Sequence, residues 1–473
     1  MKELIKKFGG FSIGPIVGAI IGFITVPVIT YFISPEEYGK TSMFTLAQGT
    51  VSILVYLGMD QAFVREFHVL RNNLNKLIVN SVIIPVACVV IVDIIILLQT
   101  EYISAVLFDN KNEFIAVYAL AVLLPFMVIE NFALLKIRME EKGAEYSFFT
   151  VLLKLLGLVF TILFFIFYEK SFRSVVYAMA LAEIANGLVL CIVSMKKIQF
   201  KLQYLDRQLI LKMLMFGLPL IPASMLNWVL SSMDKIMLRA MCNYEALGLY
   251  AAAFKVVSAL GIIQTCFTLF WTPVAYRWYE SKKENRYFAK VSEIISLLMI
   301  VMCLCLLLLK DLVAFLLGEE FSEAIYIFPF LVLYPIMYTM SETTAVGIGF
   351  SRKTQYNILV SALSGGINIG LNFLLIPLYQ GTGAAIATGI SYIVFFWART
   401  LISRKLWWKF TMGKYLIYTI IIIINCSAHT FIMGYSAYLI SIGSLIMILL
   451  LNLNTMRQYY YRLKVYRTKN EKK

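Results

Sequence analysis

Long apolar stretches alternate with short polar ones along almost the whole chain. Most of the apolar stretches are close to the ~20 residues that an α-helix needs to cross a ~30 Å hydrocarbon core. Backbone groups in lipid must be satisfied within the segment, so stretches of this length predict helices and not the shorter strands of a membrane barrel. The pattern predicts an all-α polytopic membrane protein with about 14 transmembrane helices. The segments lie near residues 8–32, 41–64, 77–99, 114–136, 147–168, 174–195, 213–238, 250–272, 291–309, 324–350, 356–378, 383–402, 415–434 and 436–453.

Composition agrees with a chain that is partly solvated by lipid. Of its 473 residues, 60% are hydrophobic and 15% are charged, whereas soluble domains average roughly 45–50% apolar and 25% charged residues. The net charge of +15 does not indicate a nucleic-acid-binding protein, because no polar domain carries the basic residues.

Lysine and arginine are concentrated on one side of the predicted membrane. The two termini and the loops on that side carry 32 of them, the opposite loops carry six, and four lie inside apolar segments. Cytoplasmic loops of membrane proteins are enriched in these residues. The asymmetry therefore predicts that both termini are cytoplasmic.

Residues 34–39, SPEEYG, form a polar hinge between the first two segments, on the side with few basic residues. Ser34 suits a helix N-cap, Pro35 suits the first helical position, and Glu37 suits the third. The hinge therefore predicts a capping box at the start of the second helix, outside the membrane.

Three short motifs recur about 209 residues further along the chain and predict an internal duplication. Each unit would hold six helices, and an even number makes the two halves parallel repeats. The recurring motifs are Glu36/Gly39 with Glu245/Gly248, FG at 8–9 with FG at 216–217, and LLPFMVIE at 123–130 with LYPIMYTM at 333–340. The predicted domains are an N-lobe of helices 1–6 (1–205), a C-lobe of helices 7–12 (206–405), and helices 13 and 14 with a basic cytoplasmic tail (406–473).

Several ionisable residues lie inside the apolar segments, where they are costly and usually face the bundle interior. Counted at 1.5 Å per residue, Glu130 and Lys154 are level toward the cytoplasmic side, and Asp234 and Lys255 are level toward the outside. Each pair is either a structural ion pair or part of a cavity that holds an anion or exchanges a cation. The embedded residues are Asp93, Glu130, Lys154, Glu183, Asp234, Lys235, Lys255 and Glu342, with Arg65 near the headgroups at the end of the second segment.

The sequence contains no recognisable catalytic or metal-binding motif. The chain has no G-x-x-x-x-G-K-[ST] motif for ATP, and its seven cysteines include no C-x-x-C. Its two histidines, His68 and His429, are far apart. The outer loops are short, which leaves little room for the acceptor of a glycosyltransferase or a polymerase. We therefore expect no catalytic residues, no cofactor and no metal.

Four motifs resemble the multidrug/oligosaccharidyl-lipid/polysaccharide exporter superfamily, and in particular its Wzx-type polysaccharide and O-antigen flippases. They are ISPEEYG at 33–39, LGMDQAFVREF at 57–67, SSMDKIML at 231–238 and LGLYAAAFK at 247–255. The resemblance implies two six-helix lobes around a cationic cavity, in the bacterial cytoplasmic membrane. It implies that substrate is bound by Arg65, Lys154, Lys235 and Lys255. The embedded acidic residues are then candidates for binding a coupling ion: Glu130, Asp234, Glu183, Asp93 and Glu342.

The implied activity is alternating-access transport of undecaprenyl-diphosphate-linked oligosaccharide from the inner to the outer leaflet. A cation-coupled multidrug exporter is the alternative, and a membrane polysaccharide polymerase is a third. An anionic lipid favours a basic cavity and a cationic drug an acidic one, and the embedded charges have both signs. The expected partners are the lipid-linked oligosaccharide, membrane lipid, a polysaccharide polymerase and a chain-length regulator, with no nucleic acid.

Overall fold

The computed structural model describes residues 2–194, 196, 198–432 and 434–453, and the described chain is helical with no β-strand. Ten of the described helices are long and apolar enough to cross a membrane, and a bent pair of helices adds an eleventh. The predicted all-α polytopic membrane fold is confirmed.

The described helices follow the predicted apolar segments in order. The helices that begin before residue 250 are α1 (Lys2–Thr30), α2 (Pro35–Tyr56), α3 (Met59–Glu66), α4 (Leu74–Leu98), α5 (Thr100–Phe108), α6 (Phe114–Met139), α7 (Gly143–Phe167), α8 (Phe172–Ser194), α9 (Arg207–Gly217), α10 (Ile221–Met241) and α11 (Tyr244–Glu280). Those that follow are α12 (Asn285–Leu308), α13 (Lys310–Leu317), α14 (Ala324–Leu331), α15 (Leu333–Thr344), α16 (Val346–Phe350), α17 (Gln355–Leu406), α18 (Gly413–Phe431) and α19 (Tyr435–Leu451).

One predicted segment is interrupted where the apolar pattern does not indicate a break, and one predicted break lies inside a helix as bounded above. The second segment bends by 53° between α2 and α3, where Leu57 (φ 46°) and Gly58 (φ 71°) both adopt the left-handed conformation. In contrast, the break predicted between segments 356–378 and 383–402 coincides with Gln380, where the backbone of α17 is not helical (φ 48°, ψ −125°) and separates two helices. Left-handed geometry costs a non-glycine residue about 1–2 kcal/mol, so surrounding contacts must hold Leu57 and Gln380 in place.

The chain forms two compact units. Among the described residues, the first unit comprises 2–259 with 317–321, and the second comprises 260–316 with 322–453. The predicted lobes, divided after residues 205 and 405, and their origin by duplication remain predictions. The predicted basic tail after residue 453 lies outside the described residues.

The start of α2 matches the predicted capping box only in part. Ser34 is the N-cap, and its hydroxyl accepts a hydrogen bond from the backbone N–H of Glu37 (3.4 Å). Glu37 should complete the box by accepting from the Ser34 N–H. Its carboxylate instead accepts from the backbone N–H of Phe172 at 2.6 Å. Glu37 therefore ties the start of α2 to the start of α8 in the first unit.

A second polar contact fixes the start of α8 to the loop before α6. Arg173 donates two hydrogen bonds to the carboxylate of Glu113, at 2.6 and 2.7 Å. These hydrogen bonds hold the pKa of Glu113 below its ordinary value. The stability from this pair is fully present above the ordinary glutamate pKa of about 4.3 and is lost as the pH falls through the lower folded value.

Two glycine pairs bring the ends of α2 against later helices of the first unit. A Cβ placed on Gly39 would lie 2.1 Å from the Tyr244 carbonyl oxygen, and one placed on Gly248 would lie 1.7 Å from the Pro35 carbonyl oxygen. We call this contact the Gly39–Gly248 crossing. The two copies of the recurring Glu-x-x-Gly motif therefore touch each other backbone to backbone.

The other glycine pair lies at the bend that follows α2. A Cβ on Gly58 would lie 2.4 Å from the Gly217 carbonyl oxygen, and one on Gly217 would lie 2.8 Å from the Gly58 backbone. We call this contact the Gly58–Gly217 crossing. At both crossings any side chain would overlap backbone atoms, so only glycine allows the observed approach.

Candidate functional site

A cavity of about 570 Å³ lies among six helices of the first unit: α1, α2, α7, α8, α10 and α11. Its volume is typical of small-molecule sites, which measure roughly 300–1,000 Å³. Part of its wall is polar but uncharged and can hydrogen-bond to a hydroxylated ligand. These residues are Thr25, Thr41, Ser42, Thr45, Gln48, Thr161 and Ser258.

Three lysines from three different helices line this cavity: Lys154 of α7, Lys235 of α10 and Lys255 of α11. Lys154 and Lys255 have exposed side chains, and Lys235 is half-buried, with its ammonium 5.7 Å from the centre of the Phe254 ring. Within the described residues, none of the three forms an ion pair with a carboxylate. Like charges that share a site repel one another unless a counter-charge is bound. The geometry therefore favours an anionic ligand.

A pair of acidic residues lies at the edge of the same cavity. Glu183 of α8 lines it, and Glu130 of α6 lies against Glu183, within hydrogen-bonding reach if one of the two carries a proton. Both side chains are buried, and one carboxylate oxygen of Glu130 has no donor among the described residues. Two carboxyl groups this close cannot both stay ionised without a proton or a cation between them. The pair can therefore hold one positive charge.

The sequence placed Glu130 level with Lys154, and the described side chains of these two residues form no ion pair. The reason is rotation about the helix axis, which counting residues along a segment does not reveal. Helix α6 packs against α8, so Glu130 meets Glu183 of α8 and not Lys154 of α7. The sequence analysis identified Glu130 and Glu183 as separate candidates, but it did not predict that they are in contact.

Asp234 and Lys255, also placed level by the sequence, have different surroundings. Asp234 is buried outside the cavity lining, and it accepts a hydrogen bond from the Tyr250 hydroxyl at 2.7 Å. Lys255 faces the cavity. The two residues therefore do not act on the cavity together.

Arg65 and Asp93 also lie outside the cavity lining. The guanidinium of Arg65 lies 4.4 Å from the centre of the Phe216 ring, and its side chain is 54% exposed. One carboxylate oxygen of Asp93, in α4, is buried without a hydrogen-bond partner among the described residues. The structure thus brings together three of the four predicted substrate-binding cations, without Arg65.

Glu342 belongs to the second unit, where its partner is a residue that sequence reasoning missed. Arg399 of α17 forms an ion pair with Glu342 of α15 at 2.7 Å, and it donates to the Ser341 hydroxyl at 2.8 Å. Both charged side chains are mostly buried. The available signal was an arginine inside the apolar segment 383–402, where an unpaired charge would be costly.

The described residues contain no group of three His, Cys, Asp or Glu side chains that could hold a metal ion. The pair of Glu130 and Glu183 has only two carboxyl groups and therefore does not form such a group. A single shared proton or a weakly held cation suits two carboxyl groups, whereas structural zinc sites use four protein ligands and catalytic ones three.

Comparison with known proteins identifies a family from the sequence and a set of solved structures with a similar fold. A family model described as "Polysaccharide biosynthesis protein" matches residues 4–278, more than half of the chain. No curated protein matches the sequence. Among solved structures, the lipid II flippase MurJ in an inward closed conformation is similar over 96% of this chain and 99% of that chain, with a TM-score of 0.69 and 15% identity.

Two transporters of the multidrug resistance MATE family of the MOP superfamily are also similar in fold. An inward-facing structure has a TM-score of 0.59 and 17% identity, over 82% of this chain and 93% of that one. An outward-facing structure has a TM-score of 0.55 and 16% identity, over 85% of this chain and 95% of that one. At these identities the likeness concerns the fold, and the fold extends over most of the chain.

Proposed function

This chain belongs to the polysaccharide biosynthesis protein family, and we propose that it is a flippase for lipid-linked oligosaccharides. The predicted resemblance to the multidrug/oligosaccharidyl-lipid/polysaccharide exporter superfamily is confirmed by this family and by the fold. The proposed substrate is an undecaprenyl-diphosphate-linked repeat unit for O-antigen or capsule. The protein moves it from the inner to the outer leaflet of the bacterial cytoplasmic membrane. A polysaccharide polymerase and a chain-length regulator are the proposed partners there.

The observation that carries this proposal is the cavity lined by Lys154, Lys235 and Lys255. A diphosphate has several anionic oxygens, and lysine ammonium groups bind phosphate as compact charges. The hydroxyl and amide side chains of the wall suit the hydroxyl groups of a sugar. An anion in the cavity also relieves the repulsion among the three ammonium groups, so the site favours a loaded over an empty state.

In this proposal the carboxyl pair of Glu130 and Glu183 binds the coupling ion. Glu183 lines the cavity beside the lysines, so the charge held by the pair acts on the charge bound in the cavity. The other acidic candidates have weaker positions. Asp234 accepts from Tyr250, Glu342 pairs with Arg399, and Asp93 lies outside the cavity. We assign them structural roles.

A cation-coupled multidrug exporter is the second candidate, and one observation favours it. The carboxylate of Glu183 lines the same cavity, and a cationic drug would bind to such a group. The lysines outnumber it three to one, which is why we place the anionic lipid first.

Surface polysaccharide and drug tolerance, measured side by side in a deletion strain, separate the two candidates. We expect deletion to remove surface glycan and to accumulate glycan-loaded carrier lipid in the inner leaflet, because no route to the outer leaflet remains. Complementation should restore both. Intact glycan together with reduced drug tolerance would instead establish the exporter.

The proposed topology has both termini in the cytoplasm, and single cysteines can test it. Lys111 and Lys283 are exposed in loops that should lie on opposite sides. In a chain without its native cysteines, we expect Lys111→Cys to react with an impermeant thiol reagent in intact cells. Lys283→Cys should react only after permeabilisation. The reverse pattern would contradict the orientation that the basic loops predict.

A further inference from the structure

Another cavity, of about 700 Å³, opens on the surface of the first unit between the start of α4 and the segment that leads into α9. Asn73 and Lys76 form one side of it, and residues 203–208 form the other. None of these residues lines the lysine-containing cavity described above. In the proposed topology this surface is on the side of the membrane that carries the basic loops.

Polar contacts from α4 hold residues 203–208 in place without a ligand. The buried Asn80 amide donates to the Tyr204 carbonyl oxygen at 2.7 Å and accepts from the Asp206 backbone N–H at 2.8 Å. Lys76 forms an ion pair with Asp206 at 2.7 Å. Groups that are positioned beforehand lower the ordering cost of binding. A ligand that enters this cavity therefore meets a preformed wall.

The groups that line this cavity favour an anion. The one carboxylate among the described residues of its lining, Asp206, already accepts from Lys76 and from backbone N–H groups at the start of α9. Arg207 lines the cavity with an exposed side chain and forms no ion pair within the described residues. Its guanidinium can bind a phosphate through two parallel hydrogen bonds. The side-chain amides of Gln203 and Gln208 can supply further donors.

Exposed apolar side chains continue from Arg207 along the same face of α9. Leu211, Met215 and Leu218 follow it at steps of four, four and three residues, which is the spacing of one helix face. The predicted apolar segment begins at residue 213, so Arg207 lies six residues before it, or about 9 Å along a helix. Headgroup layers are roughly 5–8 Å thick on each side of the hydrocarbon core. Arg207 therefore lies near the headgroups, and the apolar face points toward acyl chains.

We propose that this cavity binds the headgroup of an anionic phospholipid from the adjoining leaflet, with an acyl chain along Leu211, Met215 and Leu218. The phosphate accepts from Arg207, and the bound lipid joins the start of α4 to the start of α9. A soluble anion would make no use of the apolar face, and a neutral lipid would make little use of the arginine. Basic groups beside an apolar surface at this depth suit an anionic lipid. The site is separate from the proposed substrate cavity and does not depend on the flippase.

Protection of a single cysteine tests the proposal. Gln208→Cys, in a chain without its native cysteines, places a thiol in the cavity lining. The readout is its rate of reaction with a neutral, water-soluble thiol reagent in lipid nanodiscs. Nanodiscs of phosphatidylcholine are compared with nanodiscs that also contain phosphatidylglycerol with the same acyl chains. We expect phosphatidylglycerol to slow the labelling several-fold, because its headgroup covers the thiol.

Arg207→Gln and Lys201→Gln form a matched pair of variants. Both residues are exposed in the chain before or at the start of α9, but only Arg207 lines the cavity. Arg207→Gln should raise the phosphatidylglycerol fraction that gives half protection about tenfold, because loss of a charge-assisted hydrogen bond has an effect of that size. Lys201→Gln should leave this fraction unchanged. Protection that survives Arg207→Gln, or that appears equally at Lys201→Cys, would overturn the site.

Met215→Gln and inorganic diphosphate distinguish a lipid from a soluble anion. Met215 is exposed on the apolar face, so its replacement should weaken the protection by phosphatidylglycerol and leave the fold intact. Inorganic diphosphate in phosphatidylcholine nanodiscs should give no protection. Full protection by diphosphate alone would assign the cavity to a soluble anion and overturn the lipid. The readout is independent of transport, so failure here and failure of the proposed flippase are separate results.

Discussion

Lys154→Gln should reduce glycan transport by about 10–100-fold without lowering the amount of folded protein. Neutral glutamine has a similar reach but cannot supply the charge-assisted hydrogen bond to phosphate, which is worth about 1.5–3 kcal/mol, and each 1.4 kcal/mol is tenfold. Lys154 is exposed and lines the cavity, and no described carboxylate forms an ion pair with it, so its neutralisation breaks no ion pair. The measurement is surface glycan in the complemented deletion strain, with the carrier lipid analysed for accumulated glycan.

Lys154→Arg and Lys111→Gln serve as controls for this prediction. Arginine keeps the charge but presents a rigid fork, so partial activity is expected. Lys111 is exposed in a loop outside the cavity, and its neutralisation should have no effect. Lys235→Gln and Lys255→Gln should resemble Lys154→Gln, because all three line one cavity. Normal glycan in all three glutamine variants would exclude a cationic substrate site.

Glu130→Gln should fold at least as well as the parent protein and lose transport driven by an ion gradient. Removing one of two adjacent buried carboxyl groups removes a repulsion, so the unfolding temperature should stay the same or rise. A structural ion pair predicts the opposite, since loss of one partner of a buried pair costs about 3–5 kcal/mol. Purified protein in vesicles, with and without a proton or sodium gradient, provides the measurement together with thermal unfolding.

Glu183→Gln and Glu101→Gln complete this experiment. Because the two carboxyl groups act as one site, Glu183→Gln should match Glu130→Gln, and the double variant should add little. Glu101 is exposed in α5, so its substitution should change neither stability nor coupling. A marked drop in the unfolding temperature of Glu130→Gln would show that its carboxylate serves the fold and does not bind the coupling ion.

Segment length made the helices predictable from the sequence. A run of about 20 apolar residues has few alternatives to a membrane-spanning helix, so the segments and the fold class follow from hydrophobicity alone. Breaks within elements depend on local backbone geometry that hydrophobicity does not report. The bend at Leu57 is of this kind, whereas the break at Gln380 lies in the polar gap that the sequence predicts between two segments.

Charged residues were found by the sequence, but their partners were not. A charged side chain inside an apolar segment is energetically costly in lipid, so the sequence identifies it as a functional candidate without any knowledge of its neighbours. Lys154, Lys235 and Lys255 were identified in this way. Contact depends also on which way a helix face points, and the sequence of one chain does not fix this. Glu130 was therefore matched by depth with Lys154, although it meets Glu183. The partner of Glu37 was also missed, because the Phe172 amide that donates to it is distant along the chain.

The Gly39–Gly248 crossing also restricts how this chain can vary over time. A side chain on Gly39 would overlap the backbone of Tyr244, and one on Gly248 would overlap the backbone of Pro35, so either change requires a compensating shift of α2 or α11. Neither copy of the recurring motif can change at this position on its own. The predicted duplication would therefore stay recognisable at this contact, where the two occurrences of the motif meet.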